Sequence, residues 1–266
     1  MIRDITIGQY IPGESILHRA DPRIKIILVM VYMVVAIILN SYTGLIILAL
    51  FTILTVVLSG VPIGYALRGL KPILFILVFA AVINILTAKG TVAFSIGFIH
   101  ITYEGLNAAA KLIIRLTALF MEVSLVLTLT SKPLTMADGI EKLMSPLKRI
   151  GVPAHEIAMM MTIALRFIPT LLEETDKIIK AQSSRGADFD TGNIVQKAKS
   201  FIPVLVPLFV SAFRRADELA VAMEARCYRG SVGRTRMKQL HMTRIDLILT
   251  IAMVVFASGL LYIEFM

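Results

Sequence analysis

The chain of 266 residues has little of what holds small secreted proteins together or drives catalysis. It has one cysteine, so no disulfide can form within it and nothing indicates an oxidising compartment. It has no tryptophan, and only 17% of its residues are charged. No G-x-x-x-x-G-K-[ST] sequence occurs, which excludes a nucleotide-binding P-loop of that type from this chain.

The usual constellations of catalytic and metal-binding residues are also missing. His155 and Glu156 begin like an H-E-x-x-H zinc helix, but Met159 stands where the second histidine is needed. The four histidines are scattered, and no base is positioned beside Cys227. We therefore predict no catalytic residue, no metal site and no cofactor, and an intramembrane enzyme is the weakest hypothesis.

Apolar residues dominate what is present. They make up 57% of the chain, against roughly 45–50% in soluble domains, and the mean hydropathy is +0.82. The first apolar run lacks a following A-x-A-like cleavage site, so we expect no removable signal peptide. Runs of about 20 apolar residues can cross a bilayer. The chain has five candidate runs: Ile24–Leu39, Leu45–Leu58, Ile73–Thr87, Leu106–Thr130 and Ile245–Tyr262.

Lys and Arg residues indicate which side of the membrane each segment faces, because they concentrate in cytoplasmic loops. With five spans and a cytoplasmic N-terminus, the cytoplasmic segments hold four, two and eighteen of the 27 Lys and Arg residues. Only Lys89 lies in an outside link. The sequence therefore predicts a multi-pass protein with its N-terminus inside and its C-terminus outside. The basic residues alternate with apolar faces, so we expect the bilayer rather than nucleic acid to be their partner.

The region 131–244 contains two further apolar stretches, Ile157–Leu172 and Phe201–Phe213. If both crossed the membrane, five basic residues would lie in one short outside loop, against the sidedness rule. We therefore predict an all-α integral membrane protein with about five transmembrane helices and a cytoplasmic or interfacial coupling region of about three amphipathic helices. The corresponding division of the chain is 1–131, 132–242 and 243–266.

Two of the three amphipathic helices carry long apolar stripes at steps of three and four residues, and the third is the shorter segment Thr135–Ile150. One stripe runs from Ile157 and is interrupted only by Glu174, and the other runs uninterrupted from Val195. The next member of each stripe is an arginine. The stripe residues are Ile157, Met160, Ala164, Phe167, Leu171, Glu174, Ile178, Ala181 and Arg185, and Val195, Ala198, Ile202, Leu205, Phe209, Ala212, Ala216, Leu219, Met223 and Arg226.

The two arginines allow two interpretations. One is helix termination, in which a glycine takes the left-handed position after the helix and an arginine complements the helix dipole. "SSRG" at 183–186 fits this directly, whereas "ARCYRG" at 225–230 fits less well because Gly230 follows Arg229. The other is docking, in which each guanidinium binds a carboxylate of a partner protein.

The sequence resembles the transmembrane T component of energy-coupling factor (ECF) transporters over nearly its whole length. The similar segments are "GQYIPGESILHRADPRIK" (8–25), "PLKRIGVPAHEIAMMMTIALRFIPTLLEE" (146–174), "AQSSRGADF" (181–189) and "AMEARCYRG" (222–230). The family carries two Ala-Arg-Gly-like motifs at the ends of its coupling helices. This chain has Ser184-Arg185-Gly186 and Ala225-Arg226-Cys227, with Ser for Ala in the first and Cys for Gly in the second.

The resemblance implies a non-catalytic scaffold in the plasma membrane of a prokaryote. Such scaffolds join two ABC-type ATPase subunits to a separate membrane subunit that captures a vitamin or another micronutrient. It implies that the six motif residues dock the ATPases. We further expect the apolar stripes, at Leu205 and Phe209, to contact the substrate-capture subunit.

An alternative hypothesis is a self-sufficient secondary transporter. Arg115 and Glu122 lie seven residues apart in the fourth run, and Asn84 lies in the third. Ionisable groups inside a span are costly and point to function, although a structural role for Arg115 and Glu122 is favoured. We expect Asn84 to make a hydrogen bond between helices. The chain lacks matching halves, which counts against the usual repeat architecture of secondary transporters.

Overall fold

The computed structural model describes residues 10–96, 99–189, 191, 193–230 and 240–266. Contacts divide the chain into two compact units. The first contains the described residues of 10–143 and 240–266, and the second contains those of 144–230. The division of the sequence at 131 and 242 into spans and a coupling region stays a prediction.

The first unit consists of helices and one small hairpin. Its elements are α1 (Ile16–Arg19), α2 (Pro22–Ile38), α3 (Tyr42–Ser59), α4 (Ile63–Arg68), α5 (Lys71–Thr87), β1 (Val92–Ile96), β2 (Ile99–Thr102), α6 (Tyr103–Val123) with a π-helical continuation (Ser124–Leu129), α7 (Pro133–Met144) and α11 (Arg244–Phe265).

Short polar side chains fix where these helices begin. Ser41 accepts a hydrogen bond from the backbone N–H of Gly44, and Thr102 accepts one from Gly105. Thr243 and Asp246 form a reciprocal capping box at the start of α11. Each of these bonds satisfies a donor that the first helical turn leaves unpaired. The sequence therefore encodes the helix starts locally.

The core of the first unit lies between α2, α3, α6 and α11. Tyr32 is fully buried, and its ring stacks on Phe51, which in turn stacks on Phe256 at a centroid distance of 3.9 Å. The outward faces of the same helices remain apolar, with Leu50 and Val255 59% and 66% exposed. Large exposed apolar faces are typical of surfaces that meet lipid or a partner.

Two features differ from the sequence-based expectation. The predicted helix Thr135–Ile150 is α7, which ends at Met144, followed by a 3₁₀ segment at Ser145–Ile150, because Pro146 cannot donate the next helical bond. The antiparallel β1–β2 hairpin lies in what was treated as a link. The hairpin strands have five and four residues, which is shorter than the apolar runs by which the spans were predicted.

The second unit consists of that 3₁₀ segment, α8 (Ala154–Ser184), α9 (Ile194–Ser200) and α10 (Ile202–Ala225). The stripe that starts at Val195 was predicted as one helix, but the structure has two helices that meet at Phe201. Pro203 lacks the N–H that a continuous helix would need at this position. Pro169 and Pro207 lie inside α8 and α10 respectively.

The predicted fold class is confirmed, since the described chain is helical apart from the hairpin and contains five helical segments long and apolar enough to cross a membrane. Three of the five, α3, α6 with its continuation, and α11, coincide with predicted spans. α2 and α5, with 17 residues each, reach the lower limit of about 17 for a span. The other two are α8 and residues Val195–Ala225, whose placement outside the bilayer stays a prediction.

Candidate docking site at the ends of two long helices

The end of α8 is a complete Schellman motif, the six-residue turn in which a left-handed residue closes a helix. The backbone N–H of Gly186 donates to the carbonyl of Ser183, and that of Ala187 donates to Gln182, both at 3.0 Å. Gly186 supplies the left-handed conformation with a φ of 89°. Arg185 is the last residue before it, with a φ of −90° and a ψ of 7°.

The end of α10 has the same construction. The backbone N–H of Cys227 donates to the carbonyl of Glu224 at 2.8 Å, and that of Tyr228 donates to Met223 at 3.0 Å. Arg226 again precedes the left-handed residue, with a φ of −92° and a ψ of 15°. Arg185 and Arg226 therefore occupy equivalent positions in two equivalent turns.

Cys227 occupies the position that a glycine usually takes. Its φ is 57°, and it is the one non-glycine residue with a positive φ in the described part of the chain. This conformation costs roughly 1–2 kcal/mol for a residue with a Cβ atom. "ARCYRG" was expected to fit helix termination less well than "SSRG", and the structure shows how it ends the helix: Cys227 takes the left-handed position three residues before Gly230.

All six motif residues are exposed: Ser184, Arg185, Gly186, Ala225, Arg226 and Cys227. Among the described residues, neither motif guanidinium has a carboxylate within ion-pair distance. Each turn thus presents an arginine together with small neighbours. Such a turn can place a guanidinium against a carboxylate and allow a partner's backbone to come close.

α8 and α10 pack antiparallel, so the two turns lie at opposite ends of the pair. Near the end of α8, Gln182 donates a hydrogen bond to the carbonyl of Pro203 at the start of α10. Arg185 therefore lies by the start of α10, and Arg226 lies at its end. The 24 residues of α10 place the two turns about 35 Å apart.

The apolar stripes of the two helices meet along part of their length. They line a cleft of about 300 Å³ with almost only apolar side chains. Glu174, which interrupts the first stripe, lies on the same contact. Its carboxylate accepts hydrogen bonds from Ser211 and from Arg215, the latter at 3.0 Å. The residues that line the cleft are Ile163, Phe167, Leu171, Ala212, Arg215, Ala216, Leu219, Ala220 and Met223.

The sequence reasoning missed the pairing of Glu174 with Arg215 and Ser211. The signal was present, because a carboxylate on an apolar stripe needs a polar partner on the surface that the stripe covers. The pair holds α8 and α10 together midway between the two arginine turns.

The described residues leave the first half of the α10 stripe largely uncovered. Leu205 and Phe209, the two residues expected to contact a capture subunit, are 45% and 61% exposed. Their neighbours Val206, Val210 and Phe213 are 57%, 64% and 69% exposed. These five residues, Leu205, Val206, Phe209, Val210 and Phe213, are called the α10 apolar face below.

The three residues of the alternative transporter hypothesis do not bind one another. Arg115 donates to the carbonyl of Leu39 at the end of α2 and to the side chain of Asn40 at 3.2 Å. Glu122 is buried and accepts from Thr55 at 2.7 Å. Asn84 was expected to bridge helices, but its side-chain amide donates to Ala80 of its own helix. A helical asparagine can satisfy itself in this way without a partner helix.

In the part of the chain that the structure describes, no three His, Cys, Asp or Glu residues come together in a group that could hold a metal ion.

Comparisons with known proteins agree with this architecture. Residues 13–239 match the family model described as Cobalt transport protein, CbiQ. A protein of Ruminiclostridium cellulolyticum named energy-coupling factor transporter transmembrane protein EcfT is 64% identical over 265 residues, which cover 100% of this chain and 99% of that protein. Proteins with the same name from Thermosediminibacter oceani and Bacillus subtilis are 55% and 44% identical, over 97% and 99% of this chain and 97% and 100% of their own lengths.

Proposed function

Since the chain belongs to the CbiQ family and to the energy-coupling factor transporter transmembrane proteins that it matches over its full length, we propose that it is the membrane scaffold of an ATP-driven importer. In this role it couples two cytoplasmic ABC-type ATPases to a separate membrane subunit that binds the substrate, a vitamin or another micronutrient. The chain itself performs no catalysis.

The observation that carries the proposal is the pair of equivalent arginine turns. One turn each for two ATPases explains why an arginine directly before the left-handed residue occurs at the ends of both long helices, once with a cysteine in a strained conformation. A separation of about 35 Å fits two separate partner subunits better than one pocket. Each long helix would carry a movement of the ATPase at its turn along its own length.

The α10 apolar face supports the second contact. Leu205 and Phe209 project from the same helix whose end carries Arg226. A movement of the docked ATPase would therefore reach the capture subunit through one rigid element, α10. From the distribution of Lys and Arg, we place both turns in the cytoplasm of a prokaryotic cell. The N-terminus then lies on the cytoplasmic side of the plasma membrane and the C-terminus on the outer side.

The test is a set of alanine variants measured for ATPase co-purification and ATP-driven uptake. Arg185→Ala and Arg226→Ala should each weaken docking, because removal of one partner from a buried charge pair costs about 2–5 kcal/mol. The double variant should abolish both co-purification and uptake. Arg214→Ala is the matched control, since Arg214 lies on α10 outside the motif and its side chain is 82% exposed. Normal uptake and normal ATPase association in the double variant would contradict the proposal.

The secondary transporter gains no support from the contacts of Arg115, Glu122 and Asn84. Substrate uptake by the purified chain alone in liposomes, driven by an ion gradient without ATPases, would establish it instead.

A further inference from the structure

A polar cavity of about 280 Å³ lies in the first unit, where α2 and α11 begin and the π-helical segment has just ended. Its lining residues are not those of the arginine turns or of the α10 apolar face, and the function proposed above does not use it. Its lining is mostly polar and includes several basic side chains. The lining residues are Tyr10, His18, Arg19, Ala20, Asp21, Pro22, Lys25, Thr130, Ser131, Lys132, Thr135, Leu240 and His241.

The floor of the cavity holds a buried cation. Lys25 is only 2% exposed, and its ammonium group donates to neutral oxygens. These are the carbonyl of Thr130 at 3.0 Å, the hydroxyl of Ser131 at 2.8 Å and, more weakly, the hydroxyl of Thr130 at 3.4 Å. Among the described residues no carboxylate lies within ion-pair distance of Lys25. The charge of Asp246 attracts the ammonium group without contacting it. A buried charge with no ion pair in contact is costly, so an anion in the cavity would further stabilise this arrangement.

Further cations stand around the cavity. Lys132 is exposed, and its ammonium group lies 5.4 Å from the centre of the Tyr10 ring. The guanidinium of Arg19 also forms an ion pair with the exposed Glu14 at 3.1 Å. His241 is exposed and adds a third side chain that can donate a hydrogen bond. An anion would thus meet donors from three different stretches of the chain.

The one carboxylate that lines the cavity already has a partner. Asp21 accepts hydrogen bonds from the guanidinium of Arg23 at 2.7 and 3.0 Å. Burial raises the pKa of Asp21, the hydrogen bonds and charge of Arg23 lower it, and the net result lies below the ordinary value. Nearby Asp246 is also engaged, since it accepts from the backbone of Asp21 and from Thr243. The surplus charge of the cavity is therefore positive.

From this juxtaposition we propose that the cavity is a binding site for a phosphate group, supplied by the headgroup of an anionic lipid or by free phosphate. Lysine, arginine and histidine donors around the cavity match the oxygens of a phosphate. The volume is close to the lower limit of about 300 Å³ for small-molecule sites, which suits a headgroup. The cavity lies where the apolar bodies of α2 and α11 begin. With both helices as the predicted spans, their first turns meet the lipid headgroups.

The test uses the full chain, purified in a neutral detergent with any subunits that accompany it, and native mass spectrometry. The probes are phosphatidylglycerol, phosphatidylcholine and inorganic phosphate. The wild-type chain should retain phosphatidylglycerol in preference to phosphatidylcholine. Lys132→Gln should lower this preference about fivefold, since one Lys near anionic lipid contributes about that factor. Lys25→Met should lower it at least as much.

The matched control is Lys142→Gln, which removes the same charge from an exposed position of α7 outside the cavity and should leave the preference unchanged. Lys132→Gln keeps the test valid if Lys25→Met fails to fold, because Lys132 is exposed. Displacement of the lipid by millimolar phosphate, or a rise in melting temperature with phosphate that Lys132→Gln removes, would identify free phosphate as the source. Equal retention of both lipids by the wild type with no effect of phosphate would overturn the proposal. A preference that survives in both Lys132→Gln and Lys25→Met would also overturn it.

Discussion

Arg185 and Arg226 each stand one residue before a left-handed turn, and the turn rather than the arginine alone defines the candidate docking site. Two backbone hydrogen bonds per turn fix the direction in which the helix ends. A cap and a docking residue need not be alternatives, because the same residue closes the helix and projects its guanidinium outward. The sequence indicated both arginines through the apolar stripes, but not the role of Cys227, because a positive φ at a cysteine has no compositional signal.

A matched pair of substitutions tests the turn geometry at these residues. Gly186→Ala should destabilise the end of α8 by about 1 kcal/mol, because an added methyl group meets no atom within 4 Å and only the φ of 89° opposes it. Cys227→Gly should stabilise the end of α10 by about 0.5–1 kcal/mol, since glycine adopts a positive φ without strain but is more flexible when unfolded.

Hydrogen exchange of the closing amides measures both effects. Exchange at Ala187 should accelerate in Gly186→Ala, and exchange at Tyr228 should slow in Cys227→Gly, by a factor of about two to five. Faster exchange at Tyr228 in Cys227→Gly would show that the cysteine is not strained.

At the scale of elements, α10 combines two surfaces on one helix. Its second half packs against α8, where Ala216 and Leu219 line the shared cleft, and its first half leaves Leu205 and Phe209 exposed. The continuous stripe in the sequence predicted an apolar face along the helix. It could not show which half is covered, since that depends on where α8 crosses and on the pairing of Glu174 with Arg215.

Asparagine substitutions in the α10 apolar face should separate the two proposed contacts. Leu205→Asn with Phe209→Asn should weaken association with the substrate-capture subunit at least tenfold, because each substitution removes a large apolar side chain from a contact. ATPase co-purification should stay within twofold of the wild type. Val221→Asn, at a position 66% exposed on the same helix, is the control and should change neither. Cross-linking of positions 205 and 209 to lipid alone would contradict the assignment.

The short elements were the ones that sequence reasoning missed. α4 and the β1–β2 hairpin lie in predicted links, because neither contains an apolar run long enough for a span or a long stripe with a helical period. The helix starts at Ser41, Thr102 and Thr243 were readable in principle, since each carries a capping side chain. The antiparallel packing of α8 and α10 could not be predicted from the sequence, because it follows from contacts between residues far apart in the chain.

At the level of the whole molecule, docking of ATPases at the two turns requires α8 and α10 to lie on the cytoplasmic side of the membrane. Both are long and apolar enough to span, so length and composition do not decide the question. The excess of Lys and Arg in residues 131–244 favours the cytoplasm. The family match is compatible with this placement and confirms a multi-pass transporter component.

The single cysteine offers a direct probe of this placement. Cys227 is exposed, so a membrane-impermeant maleimide should label it in inverted vesicles and leave it unlabelled in right-side-out vesicles. Bound ATPases should slow the labelling, because Cys227 lies in a proposed docking turn. Cys227→Ser gives the background, since no other cysteine exists in the chain. Labelling in intact right-side-out vesicles would place the α10 turn outside the cell.

Photo-cross-linking of the assembled transporter shows whether two separate turns each engage one ATPase. A photo-reactive amino acid placed at position 184 alone, or at position 225 alone, should give a covalent product of one scaffold chain and one ATPase. Placed at both positions, it should give a product of one scaffold chain and two ATPases. The same amino acid at Glu218, whose side chain is 70% exposed on α10, should give neither. If positions 184 and 225 cross-link only to lipid, or if the double replacement never yields a product with two ATPases, the two turns are not the docking points.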